Sequence, residues 1–248
     1  MRAFPATQAR SCVHALLAVL AAAAPLAPAA ASTFNISPIR AELAAGHRTE
    51  ALTLTNADDQ PVVIQIRVVR WSQQGGQEQL DATRELLATP PVLQIAPNSE
   101  QIVRIALRRE PDSTRELTYR VIFEEVPQAA PKDFVGLRVA LRLSVPVFVA
   151  PSRGHAKADT SWEAHWLTDG KLEVDATNHG TGHLQVTDFA LRLAGAADLH
   201  GVTAKYVLPG SRMSWTLAAA NTNHHGPILI HGHSDQGEFS ADVAINGL

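Results

Sequence analysis

The stretch VGLRVALRLSVPVFVAP, Val135 to Pro151, decides how the rest of the chain is read. Leu137, Val139, Leu141, Leu143, Val145 and Val147 recur at every second position, with Arg138, Ala140, Arg142 and Ser144 between them. A period of two puts the first set on one face of an extended strand and the second on the other. A strand this long and regular needs something to cover its apolar face, and the reading of the chain turns on what that is.

The same period runs outward in both directions. EALTLTN (50–56), VVIQIRVVRW (62–71), QIVRIALR (101–108) and LTYRVIFEEVP (117–127) alternate over strand lengths, and NADDQP, QQGGQ, APNSE and REPDST between them carry turn chemistry. After Pro151 the segment SRGHAKADTS breaks the rhythm, and a second set follows: SWEAHWL, KLEVDATN, HLQVTDFALRLAG, AKYVLPGSRMSWTL, PILIHGH and GEFSADVAI. The expectation is an all-β chain of two immunoglobulin-like β-sandwich domains, residues 32–151 and 152–248, with very little helix. Pro38 interrupts an alternation begun by Phe34 and Ile36, which predicts that the first strand changes sheets there.

Residues 1–31 read as a secretory signal peptide. Arg2 and Arg10 precede a short alanine-rich apolar core, and Ala29-Ala30-Ala31 offers small residues for cleavage before Ser32. Cys12 leaves with this segment, so the exported chain has neither a disulfide framework nor a catalytic thiol. Arg2 and Arg10 leave too, taking Lys plus Arg from 21 to 19 against 24 acids and the formal charge from −3 to −5. With no basic run, nucleic acid is not expected as a partner, and no other stretch is long and apolar enough for membrane insertion.

Taken together, SPIRAEL near the start, LLATPPVLQIAPNSEQIVRI, RELTYRVIFEEVP, the long LRVALRLSVPVFVAP and YVLPGSRMSW resemble the periplasmic pilus-assembly chaperones of the chaperone-usher pathway, the PapD-like family. The resemblance implies two immunoglobulin-like domains in an L-shape. It also implies a periplasmic protein, free of cofactors and not an enzyme, that binds pilin or fimbrial subunits by strand donation and delivers them to an outer-membrane usher. A subunit missing one strand exposes unpaired backbone groups and its core floor, and a donated strand satisfies both. The residues expected to make that contact are Leu137, Val139, Leu141, Leu143 and Val145, and self-association through the same strand is a further expectation. For an isolated sequence, the plainer alternative is that these side chains fill the protein's own core.

In the family a basic pair grips the subunit's terminal carboxylate. Arg40 in SPIRAEL falls on the arginine position, and its planar fork suits a carboxylate. The second anchor, a lysine, should fall within Ser144 to Pro146, where no residue is charged, and RLSVPVF resembles the archaic, Csu-type branch instead. Arg120, opposite in phase to Tyr119, Val121 and Phe123, is the candidate for the missing charge, a solvated strand arginine being its other reading. Arg104 is expected in a structural ion pair. The short connection QAAPKDFVG (128–136) resembles chaperones of rod-like pili.

Other chemistry finds little support. His165, His179, His183, His200, His224, His225, His231 and His233 crowd the second half, with His231 and His233 on one strand face, yet solvated histidines are the expectation rather than a metal site. No phosphate loop, nucleophile elbow or zinc-protease motif is present. Trp162, Trp166 and Trp215 are expected in the second core, and YVLPGS (206–211) as a hairpin turning at Pro209-Gly210. The competing function is a secreted two-domain adhesion or carbohydrate-binding module, which would cover the 137–147 strand and expose aromatics elsewhere.

Overall fold

The computed structural model describes residues 34–127, 139–193, 198–201, 204–218 and 228–246. Residues 1–31, expected to be an export signal, and Leu137, the 128–136 connection, His224 and His225 lie outside these. Every regular element among the described residues is a strand.

Ten strands build the first sandwich: β1 (Phe34–Ser37), β2 (Ala41–Leu43), β3 (Thr49–Asn56), β4 (Val62–Gln74), β5 (Gln77–Ala82), β6 (Leu86–Thr89), β7 (Val92–Ile95), β8 (Ser99–Leu107), β9 (Leu117–Glu125) and β10 (Arg142–Val149). One sheet runs β1-β3-β8-β6; the other runs β2-β10-β9-β4-β5, with β7 also on β4. The period of two dictates the packing: Leu52 and Leu54 of β3 and Val103 and Ile105 of β8 turn inward onto Ile64, Val121, Phe123 and Val147. Asn56 is buried among them, and its amide donates to the carbonyls of Gln60 (2.8 Å) and Ala96 (3.1 Å). The chain does change sheets at Pro38, since β1 pairs with β3 while β2 runs parallel to β10.

The second sandwich comprises β11 (Thr160–Trp166), β12 (Leu172–Asn178), β13 (Leu184–Leu193), β14 (Leu199–Gly201), β15 (Lys205–Val207), β16 (Arg212–Leu217), β17 (Ile228–Ser234) and β18 (Gly237–Asn246). Its two layers are continuous along one side, because β18 pairs parallel with β11. Trp162, Trp166 and Trp215 all lie in its core. YVLPGS is not a hairpin: β15 pairs with β13 and β16 with β12, so the turn at Pro209-Gly210 carries the chain from one layer to the other. Gly210 (φ +68°) supplies the left-handed step that this tight passage needs.

A third, smaller apolar cluster joins the sandwiches: Trp71 from β4, Phe148 from β10 and Leu208, with Tyr206 packed against them. The Gln73 amide fixes this junction from both ends, donating to the Tyr206 carbonyl (2.8 Å) while accepting from the Leu208 N–H (2.9 Å).

Candidate functional site

The strand that opened the reading has two unlike halves. Along Arg142–Val149 it pairs antiparallel with β9, but β2 covers its other edge only at Val147–Val149. Two hydrogen bonds set the phase of its backbone. Glu125 N–H donates to the Leu141 carbonyl, so the odd-numbered residues face β9; Ala150 N–H donates to the Leu43 carbonyl, so the even-numbered ones face outward. Arg142 and Ser144 therefore turn their backbone toward an edge that no described strand occupies, while Pro146, next to the start of β2, has no N–H to offer on that side. The result is an open edge with donors at Arg142 and Ser144 that stops at a proline.

Side-chain burial grades along the same strand. Val145 is 4% exposed and lies in the molecule's own core; Leu143 and Leu141 are half-buried against that core; Val139 is 48% exposed. Five equivalent apolar contacts are thus not what the fold presents, and Val145 serves its own sandwich. Strand geometry also begins at Arg142, because the ladder to β9 ends with the Leu141–Glu125 rung. Ile39, at the corner where the chain leaves one sheet for the other, is 81% exposed.

The two candidate anchors sit at the covered end of this edge. Arg40 bonds Glu42 (2.7 Å) and, across the junction, Asp235 (2.8 Å), and these carboxylates overcome burial to raise its pKa above the usual arginine value. Arg120 stands directly opposite Pro146 on β9. Its guanidinium lies over the Trp71 ring (3.9 Å to the centroid), bonds Glu78 (2.8 Å) and reaches the Ser144 hydroxyl (3.4 Å). It is a largely buried, stacked arginine rather than a solvated one. Burial raises the Tyr206 hydroxyl's pKa, and Arg40 and Arg120 both act on it in the opposite sense, so the two cations share one neighbour.

Beneath them, His183 ties the sandwiches together. Its Nδ1 is 2.7 Å from Glu116 and its Nε2 is 3.2 Å from Asp235, while its ring stacks on Phe148 (centroids 3.5 Å apart, 8° between planes). Burial disfavours the imidazolium, but the bonds to Asp235 and Glu116 outweigh it and raise the pKa to about 9. Asp235 is held below the ordinary carboxylate range despite its burial, through His183 and the Gln185 N–H (2.9 Å).

No sequence motif marked His183, Glu116, Asp235 or Tyr206, because they meet only where the two domains touch. Arg104, expected in an ion pair, is exposed and forms none among the described residues. His231 and His233 do share a face of β17, and His233 bonds Asp188 (2.9 Å) instead of sharing a ligand set with His231. The one cluster of metal-ligand type among the described residues is His165, Glu173 and Asp175, where Asp175 is already taken by Arg212 and by the Ser214 hydroxyl. With a cation already on its buried carboxylate, that cluster is complete as it stands.

No curated protein matches the chain. Residues 33–155 match the family described as pili and flagellar-assembly chaperone, PapD N-terminal domain. Among solved structures, the CsuC-CsuE chaperone-tip adhesion subunit pre-assembly complex from archaic chaperone-usher Csu pili of Acinetobacter baumannii superposes with a TM-score of 0.67 at 20% identity, over 86% of this chain and 99% of that one. The E. coli chaperone DraB gives 0.59 at 18% identity, over 87% and 98%, and the Pseudomonas aeruginosa CupB2 chaperone 0.56 at 18%, over 86% and 100%. At these identities the likeness to the solved structures is one of fold.

Proposed function

Residues 33–155 belong to the PapD N-terminal domain family of pili and flagellar-assembly chaperones, and from that premise we propose that the protein is a periplasmic chaperone that holds pilin or fimbrial subunits by strand donation and passes them to an outer-membrane usher. Residues 1–31 act as its cleaved export signal, and residues 32–151 and 152–248 as its two domains. The observation that carries this reading is the open edge of β10 at Arg142–Ser144, with half-buried Leu141 and Leu143 and exposed Val139 along it. An incomplete sandwich needs backbone partners and apolar side chains at once, and this segment offers both.

The graded burial sets the magnitude. Burying an apolar side chain gains roughly 1.5–3 kcal/mol, and two of these three are already partly covered, so the apolar gain is on the order of 4 kcal/mol before association costs. Leu137, which shares their phase in the sequence, is assigned to the same contact, and Val145 supports it from within. Pro146 ends the partner's ladder beside Arg120, and Arg40 acts on the same Tyr206 hydroxyl as Arg120, so the end of a subunit strand would bring its terminal carboxylate to this pair. The two arginines then act as the carboxylate anchor, with Arg120 replacing the absent lysine.

The adhesion or carbohydrate-binding alternative needs exposed aromatics, and all four tryptophans are buried. The test is periplasmic co-expression with a pilin subunit. Val139→Asp should abolish recovery of the subunit with the chaperone while leaving its thermal midpoint unchanged, because Val139 contributes little to its own core. Equal recovery from wild type and variant would rule out this face as the donor.

A further inference from the structure

Each proposed anchor is already holding a carboxylate. Arg40 Nη2 bonds Glu42 at 2.7 Å and Arg120 Nη2 bonds Glu78 at 2.8 Å. Among the acids at this site the burial differs sharply. The Glu42 and Glu78 side chains are 57% and 43% exposed, whereas Asp235 is 15% exposed and also accepts the Gln185 N–H and faces His183. Asp235 is therefore part of the junction's framework. Glu42 and Glu78 each make a single ion pair among the described residues, at the solvent side of the guanidinium. For Arg120 the rest of the group is taken or enclosed: Trp71 covers one face, Ser144 receives Nη1 and Nε is buried without a hydrogen-bond partner among the described residues, which leaves the Glu78 position as the place where a second carboxylate fits.

Resting on the anchor reading above, we infer that Glu42 and Glu78 are internal stand-ins for the partner's terminal carboxylate: they occupy Arg40 and Arg120 in the free protein and are displaced when a subunit strand arrives. Two part-buried cations sharing Tyr206 repel each other and face desolvation, and Glu42 and Glu78 offset both costs on the solvent side. The acid of each pair stands largely in solvent, so an incoming carboxylate that takes the same position and brings a whole strand with it exchanges one ion pair for another at little cost. The site then discriminates: a subunit whose chain ends at this position supplies the carboxylate, and one that runs past it must compete with Glu42 and Glu78 without a charge to offer.

Acetate is a sufficient probe, because the exchange concerns the carboxylate alone. Acetate is titrated against chloride at constant ionic strength, and the side-chain Nε–H resonances of Arg40 and Arg120 are followed by NMR, assigned with the Arg40→Lys and Arg120→Lys variants. Glu42→Gln should tighten acetate at Arg40, and Glu78→Gln at Arg120, by roughly two- to five-fold each, and the double variant should show both gains over wild type. Unchanged thermal midpoints would show that both near-isosteric variants remain folded. Equal acetate affinity in wild type and double variant overturns the inference, as does the absence of any acetate response at either arginine in all four proteins. Neither result bears on strand donation, which is read separately from subunit recovery with Val139→Asp.

Discussion

The two halves of β10 have similar alternating sequences and opposite environments. Val145–Val149 pairs with β9 throughout and with β2 from Val147 on, buries Val145, Val147 and Val149 in the first core, and turns Phe148 onto His183 at the domain junction. Val139–Ser144 has β9 on one side at most and no described strand on the other, and its apolar side chains are only partly covered. Periodicity alone makes both halves strand. What separates them is whether a neighbour is present, and β2 is too short to reach past Val147 because the chain crosses to the other sheet at Pro38 to Arg40. The locked half holds the open half in place, so a surface prepared for another protein rests on a rigid base.

The contrast is broken most severely by placing a charge in each half. Val145→Asp buries an unpaired carboxylate in the first core and should cost several kcal/mol, seen as loss of a cooperative thermal transition, whereas Val139→Asp should leave that transition where it is. Next in size is the pH response of the locked half. Folded His183 keeps its proton up to about pH 9, against an ordinary value of 6.5, so its contribution is complete below about pH 6.5 and is lost as pH rises through about 9. Unfolding free energies from urea titrations between pH 6.5 and 9.5 should fall by at most about 3 kcal/mol in wild type, and His183→Gln should be less stable at pH 6.5 and flat across the window. Leu143→Ala, at the boundary between the halves, should lower stability by about 1–2 kcal/mol and also weaken subunit recovery, since it serves both sides. Smallest is Arg40→Ala, which removes partly exposed ion pairs and should cost about 0.5–1 kcal/mol of stability, with a larger effect on subunit recovery.

Much of this contrast was legible in the sequence, and the limits have physical causes. Alternation located the strands, the tryptophans of the second core and the sheet change at Pro38, because each follows from which face of a strand is apolar. Alternation carries no information about neighbours. It therefore ran the donor strand back beyond Arg142, counted Val145 with Val139, and made YVLPGS a hairpin when its two arms pair with different strands. Arg120 could be placed on the outward face from its phase, but its stacking on Trp71 and its bond to Glu78 come from β4 and β5, more than forty residues away. The Arg40–Asp235–His183–Glu116 network spans both domains and has no local signature. Arg104 shows the converse: an alternating arginine with acids nearby in sequence can still face solvent alone.

Amide hydrogen exchange along β10, on dilute free protein and on its complex with a co-purified subunit, tests the open edge most directly. The Arg142 and Ser144 N–H groups should exchange fast in the free protein and become strongly protected in the complex, while Val147 and Val149 stay protected in both. Protection of Arg142 and Ser144 already in the free protein, or no change on binding, would contradict the account.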